Sequence, residues 1–124
     1  MREITTHKVN ECNDQLELLA EDKLGPGGAP HYYELRFPDR VSPECKACVG
    51  IFFQNGPIKE VGTNGLTHEA LLAILADRLE HFQAGPYACD ENAAALKHIK
   101  DAQAILHMRT RARLARGVEG THKV

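Results

Sequence analysis

The chain has no long apolar run, and its first residues, MREITTHKVN, contain no apolar h-region. The first absence leaves no segment able to cross a membrane as a helix, and the second predicts no secretory signal, so the sequence reads as that of a cytoplasmic protein. Strong charge of either sign is lacking too. A formal net charge of −2 sets up no global field toward nucleic acid, so any anion-binding role must come from a local cluster. There is no G-x-S-x-G, no H-E-x-x-H and no P-loop lysine motif, hence no signature of a nucleophile, a zinc protease or a phosphate loop. The seven histidines are scattered. Of four cysteines, only Cys45 and Cys48, in SPECKACVG, have metal-ligand spacing. Zinc needs four tetrahedral ligands and one CxxC supplies half of them, so no metal is expected. In a cytoplasmic setting the cysteines are expected to be thiols.

What is present divides in the low sixties. The 124 residues suffice for one domain with a modest core. Residues 1–62 form a β-rich half. EITTHKV (3–9) and DQLELLA (14–20) show period-two apolar spacing, GPGGAP (25–30) breaks the chain, and HYYELRF (31–37) alternates with Tyr33, Leu35 and Phe37 on one face. CVGIFFQNG (48–56) ends in Asn55-Gly56, a hairpin-turn signal, with PIKEVG (57–62) expected to return as a partner strand. Residues 63–124 change to a helical period. Thr67 is a fitting N-cap, and Leu71, Leu75, Leu79 and Phe82 form a stripe at spacings of four, four and three. Gly85-Pro86 stops this helix, with Gly85 suited to a left-handed cap, and Asp90 is placed to cap the next. The second helix runs to Arg116 without Gly or Pro, and Gly117 suits the position after its end. The expected class is α+β, a small N-terminal antiparallel sheet followed by an antiparallel helical hairpin, built as one compact unit.

The second helix outruns the first. Ile105, Met108, Ala112 and Leu114 lie in its overhang and call for burial, which an oligomer supplies most simply. Its last turns carry Arg109, Arg111, Arg113 and Arg116 with no acid among them. Arg109, Arg113 and Arg116 share a face suited to phosphate, since guanidinium binds phosphate oxygens bidentately; a solvated face near a helix C-terminus accounts for the same residues. At the other end of the hairpin, Phe82 and Asn92 meet across the loop. An aromatic ring can stack a base and an amide can read its edge.

The segments FQAGPYACDEN and RTRARLARGVEGTH resemble the helical-hairpin domain shared by the Thoeris anti-defence and anti-CBASS phage sponges. The β-rich first half is more similar to the Thoeris type. The resemblance implies a protein that is not an enzyme and needs no cofactor. Such a protein holds an immune messenger intact in the host bacterial cytoplasm. The messenger would be a cyclic ADP-ribose isomer made by a TIR-domain protein; some members also bind cyclic di- or trinucleotides at separate sites. By motif position the resemblance implies Phe82 and Asn92 as stacking and hydrogen-bonding residues, Arg109 as a phosphate ligand, and Thr110 and Arg113 beside it; Gly85 and Pro86, in the loop between Phe82 and Asn92, are taken with them as ligand-binding residues. The resemblance implies a hexamer; the seventeen residues between Asn92 and Arg109, ~25 Å on one helix, call in addition for a homodimer with sites shared between subunits, of which a hexamer would hold three. Arg36 and Lys59 are candidates from the first half. The competing classes are a nucleic-acid-binding module using the Arg109, Arg113 and Arg116 face, a phage adaptor protein without a small ligand, and an enzyme that cleaves the messenger.

Overall fold

The computed structural model describes residues 1–38 and 47–123. It is an α+β fold: a four-stranded antiparallel sheet precedes a pair of packed helices. The strands β1 (Arg2–Ile4), β2 (Glu17–Ala20), β3 (Tyr32–Phe37) and β4 (Ala47–Phe52) lie side by side in chain order. Each neighbouring pair is antiparallel. Contacts within the chain group Met1–Gly56 with Thr63–Gly65 in one unit, and Pro57–Gly62 with Leu66–Val124 in another.

In the first unit the period-two pattern becomes the two faces of the sheet. Tyr33 faces Ile51 and Leu35 faces Val49 across β3 and β4, with Leu18 opposite Leu35 on β2. Among the described residues of this unit the buried side chains are Leu19 and Ala20, on an inner strand. The connection from β2 to β3 passes through a 3-10 turn at Pro26–Gly28 and is closed by Asp22. That carboxylate accepts the N–H groups of His31, at 2.9 and 3.1 Å, and of Tyr32, at 3.1 Å. The His31 bond is the main reason its pKa lies below the ordinary carboxylate value.

Several local expectations are corrected. The first strand ends at Ile4, and a short helix α1 (Glu11–Asp14) follows, capped by Asn10. PIKEVG is not a returning strand. Pro57 stands before a one-turn helix α2 (Ile58–Val61), whose bonds run from Val61 N–H to Pro57 O and from Gly62 N–H to Ile58 O. Pro57 cannot donate to a sheet ladder, which favours the helical turn. The chain after β4 is held instead by Asn64. Its side chain accepts from Asn55 N–H at 2.8 Å and donates to Asn55 O at 2.7 Å, while its own N–H reaches Gln54 Oε1 at 2.9 Å.

That closure requires glycine next door. A Cβ on Gly65 would collide with the Phe53 carbonyl group and lie 2.7 Å from the Gln54 nitrogen. Backbone cannot swing aside as a side-chain tip can. Gly65→Ala is therefore expected to cost on the order of 2–4 kcal/mol, a fall of roughly 10 °C in thermal midpoint for a chain of this size. Thermal unfolding followed by circular dichroism measures it, and a midpoint within a degree of the parent would contradict the packing described.

In the second unit, α3 (His68–Gln83) is capped by Thr67, whose Oγ1 accepts from Ala70 N–H at 3.1 Å. The apolar stripe is rotated from the one expected. Ala76 is buried and Leu71, Leu72, Leu79 and Phe82 half-buried, while Leu75 remains 48% exposed. The small Ala76 permits close approach to the alanine-rich start of α4 (Asp90–Ala115). An ion pair between Lys100 and Glu80, at 2.6 Å, joins the two helices. It holds the Glu80 carboxyl below its usual range.

Candidate functional site

The loop between α3 and α4 is closed by one side chain. Gln83 donates from Nε2 to Cys89 O and accepts Cys89 N–H, both at 3.1 Å. Those two bonds set the last turn of α3 against the first turn of α4. The cap of α4 is Cys89 rather than the expected Asp90. Its Sγ accepts Asn92 N–H at 3.4 Å, and Asp90 becomes the first helical residue. Gly85 does not take the left-handed conformation expected of it; Ala84, in ordinary helical geometry, ends α3. Gly85 accepts Ala88 N–H at 3.3 Å, so Gly85 and Pro86 shape the turn through backbone.

This closure brings Phe82 and Asn92 to the same end of the hairpin. Phe82 is half-buried, and the edge of Tyr87 meets it at 6.3 Å between ring centres and 67° between planes. The Asn92 carboxamide makes no hydrogen bond among the described residues, leaving its donors and acceptor free for a ligand. Beside Phe82 a shallow groove of about 590 Å³ is lined by Ile74, Asp77, Arg78, His81 and Phe82. Within it His81 Nδ1 donates to Asp77 O at 2.7 Å, and the Asp77 carboxylate lies 3.6 Å away. The carbonyl bond first, and the carboxylate second, raise the His81 pKa above its ordinary value.

Two residues of this cluster were missed from sequence, Arg78 and Tyr87. The Arg78 guanidinium carbon sits 4.9 Å from the centre of the Phe82 ring. The four-residue spacing from Arg78 to Phe82 on a helix was the available signal.

The arginines at the far end of α4 separate into different roles. Arg109 is exposed, with no ion pair or hydrogen bond among the described residues. Thr110, next to it, is half-buried. Arg113 is engaged. Its Nε donates to Glu119 Oε2 at 2.8 Å, Nη1 to Lys123 O at 2.8 Å, and Nη2 to Val118 O at 3.0 Å and Thr121 O at 3.3 Å. The turn that permits this begins at Gly117, whose φ of 71° follows the C-cap Arg116. Val118 N–H then reaches back to Arg113 O at 3.0 Å and Gly117 N–H to Leu114 O at 3.0 Å, the paired bonds of a glycine-ended helix. The returning segment is also tied to α2, where Lys59 N–H donates to Gly120 O at 3.2 Å and His122 meets Glu60 at 3.1 Å. The returning segment thus covers Arg113, while Ile105, Met108, Ala112 and Leu114 stay exposed.

Asn92 and Arg109 lie on one uninterrupted helix. Seventeen residues at ~1.5 Å each put them ~25 Å apart along its axis. In the first unit, Arg36 is paired with Glu34 at 2.8 Å and Glu21 at 3.7 Å. Cys48 is an exposed thiol and Cys45 lies outside the described residues. Among the described residues no helix is long and apolar enough to cross a membrane.

Comparison with known proteins bears on this same region. Residues 49–111 match the model of the Acb2/Tad1 hairpin domain, from the end of the sheet through most of α4. The chain is also 45% identical over 71 residues to "Thoeris anti-defense 1" of Bacillus phage SBSphiJ7. That match covers 57% of this chain and 50% of the relative, so the chain spans about half the relative's length. With the matching domain model covering half of the sequence, and the helical pair it describes present in the fold, the chain belongs to the Acb2/Tad1 hairpin-domain family.

Proposed function

We propose that this protein is a phage anti-defence sponge. It binds a cyclic nucleotide immune messenger, a cyclic ADP-ribose isomer, and holds it without breaking a bond. The observation that carries the reading is the hairpin tip, where a partly open aromatic ring and an unengaged carboxamide lie at the same end of the helical pair, within the matched residues. A ring offers a base its π face, and a carboxamide offers both a donor and an acceptor to base or ribose. The similarity to a Thoeris anti-defence protein supports the choice of messenger.

The unpartnered Arg109 supplies the phosphate contact, with Thr110 beside it. Arg113 keeps one Nη1 hydrogen free of the bonds that hold the tail and adds it to the same contact. Asn92 and Arg109 are too far apart to meet one small ligand from a single chain. The site is therefore composite: two hairpins run antiparallel, and the tip of each stands beside the arginine end of the other. A two-fold dimer makes two such sites, because each contact is repeated by symmetry. Ile105, Met108 and Leu114, each more than 60% exposed, form the surface that this pairing buries, and further copies of the dimer build a hexamer. The cytoplasm of the infected bacterium is where such a messenger is met.

The test is release. The protein is incubated with the cyclic ADP-ribose isomer made by a TIR-domain enzyme, freed of unbound ligand, and denatured by heat. Intact nucleotide should appear in the supernatant in proportion to protein. A cleaved product would make the protein an enzyme, and the release of nothing would remove the messenger-binding reading.

A further inference from the structure

We propose that Arg78 and Phe82 are two jaws of one clamp, the guanidinium closing on one face of the ligand's base and the phenyl ring on the other. The inference rests on the reading that Phe82 stacks a base. Its own observation is the guanidinium standing over the Phe82 ring, with its carbon 4.9 Å from the ring centre. That position is one that a base stacked on the ring would take. A base inserted between two planar groups needs two van der Waals intervals, roughly 7 Å in all. Arg78 must therefore lift by roughly 2 Å and can then settle on the outer face of the base. Guanidinium planes stack on bases as aromatic rings do.

The surroundings leave Arg78 able to make that move. It is exposed on α3, one turn before Phe82, and has no carboxylate partner among the described residues. The neighbouring Asp77 is turned to His81 instead. Arg78 and Phe82 line the same groove, whose volume of about 590 Å³ admits a purine ring. A side chain locked by an ion pair could not lift without breaking it; this one is held by the ring contact alone.

The experiment compares the full-length protein with Phe82→Ala, Arg78→Ala, Arg78→Lys and the Phe82→Ala/Arg78→Ala double variant. The probe is the cyclic ADP-ribose isomer made by a TIR-domain enzyme. Affinity is measured by calorimetry, stacking by the loss of adenine absorbance on binding, and folding by thermal midpoint. Phe82→Ala and Arg78→Ala should each weaken binding roughly tenfold or more, the range of a lost base stack, with Arg78→Ala keeping the parent's midpoint. Arg78→Lys keeps the charge but not the plane, so it should bind as weakly as Arg78→Ala and recover none of the absorbance change. The double variant should lose less than the product of the two single losses, since one jaw without the other has little to close on. If Arg78→Lys binds like the parent, or Arg78→Ala binds within twofold or more tightly while Phe82→Ala fails, the clamp is refuted and the Phe82 reading stands. If Phe82→Ala stays within twofold, or the parent does not bind the probe, the Phe82 reading falls and the clamp with it.

Discussion

Co-refolding an Asn92→Ala chain with an Arg109→Ala chain should restore binding that neither variant has alone. With random pairing, roughly half of the dimers are mixed. In a mixed dimer the two changes fall together on one of the two symmetry-related sites, and the other site is left with an intact Asn92 from one chain and an intact Arg109 from its partner. About a quarter of the parent's capacity should therefore return. The effect is large because the separation along α4 is fixed. A helix from Asp90 to Ala115 cannot fold its ends onto one nucleotide, so the site either takes its two halves from two chains or does not contain both residues. The measurement is ligand bound per chain after equal mixing, unfolding and refolding, with the parent protein taken through the same steps. If the parent recovers and the mixture stays inert, the composite site is wrong, and the two residues belong to separate sites or one belongs to none.

Charging the outer face of α4 should be nearly as damaging to binding while leaving the fold intact. Ile105 and Met108 are 64% and 63% exposed in the single chain, so Ile105→Glu and Met108→Glu meet water there and should shift the thermal midpoint little once subunits are apart. Buried between two hairpins, an unpaired carboxylate costs several kcal/mol. About 3 kcal/mol is already a loss of roughly a hundredfold in dimer affinity. Analytical ultracentrifugation should show the variant as a monomer at concentrations where the parent is assembled, and messenger binding should be lost with assembly. A variant that remains assembled, or a monomer that still binds at parental affinity, would mean that this face is not the shared surface.

The linear sequence determined the fold class and both long helices, because their signals are local. A strand declares itself by period two and a helix by a stripe, an N-cap such as Thr67, and a terminating residue such as Gly117; each depends on residues a few positions apart. The spacing of Asn92 and Arg109 was equally legible, since a helix converts residue number directly into distance. The resemblance carried by FQAGPYACDEN implied a site at the hairpin tip. What failed were choices between local forms of similar energy. PIKEVG can be a short strand or a turn of helix, and the bonds of Asn64 to Asn55 and of Lys59 to Gly120 settle which. Cys89 and Asp90 can each cap α4, and Gln83 decides for Cys89 by holding its backbone. The sequence could not separate an arginine engaged by its own chain from an unengaged one, because Arg109 and Arg113 lie one helical turn apart and differ only in what folds back to meet them. Tertiary structure decided that, through the turn at Gly117 that returns Val118–Lys123 to the Arg113 guanidinium. It also decided that Arg78 stands over Phe82. Side-chain partners depend on where distant segments and rotamers come to rest, and no periodicity in the chain records that.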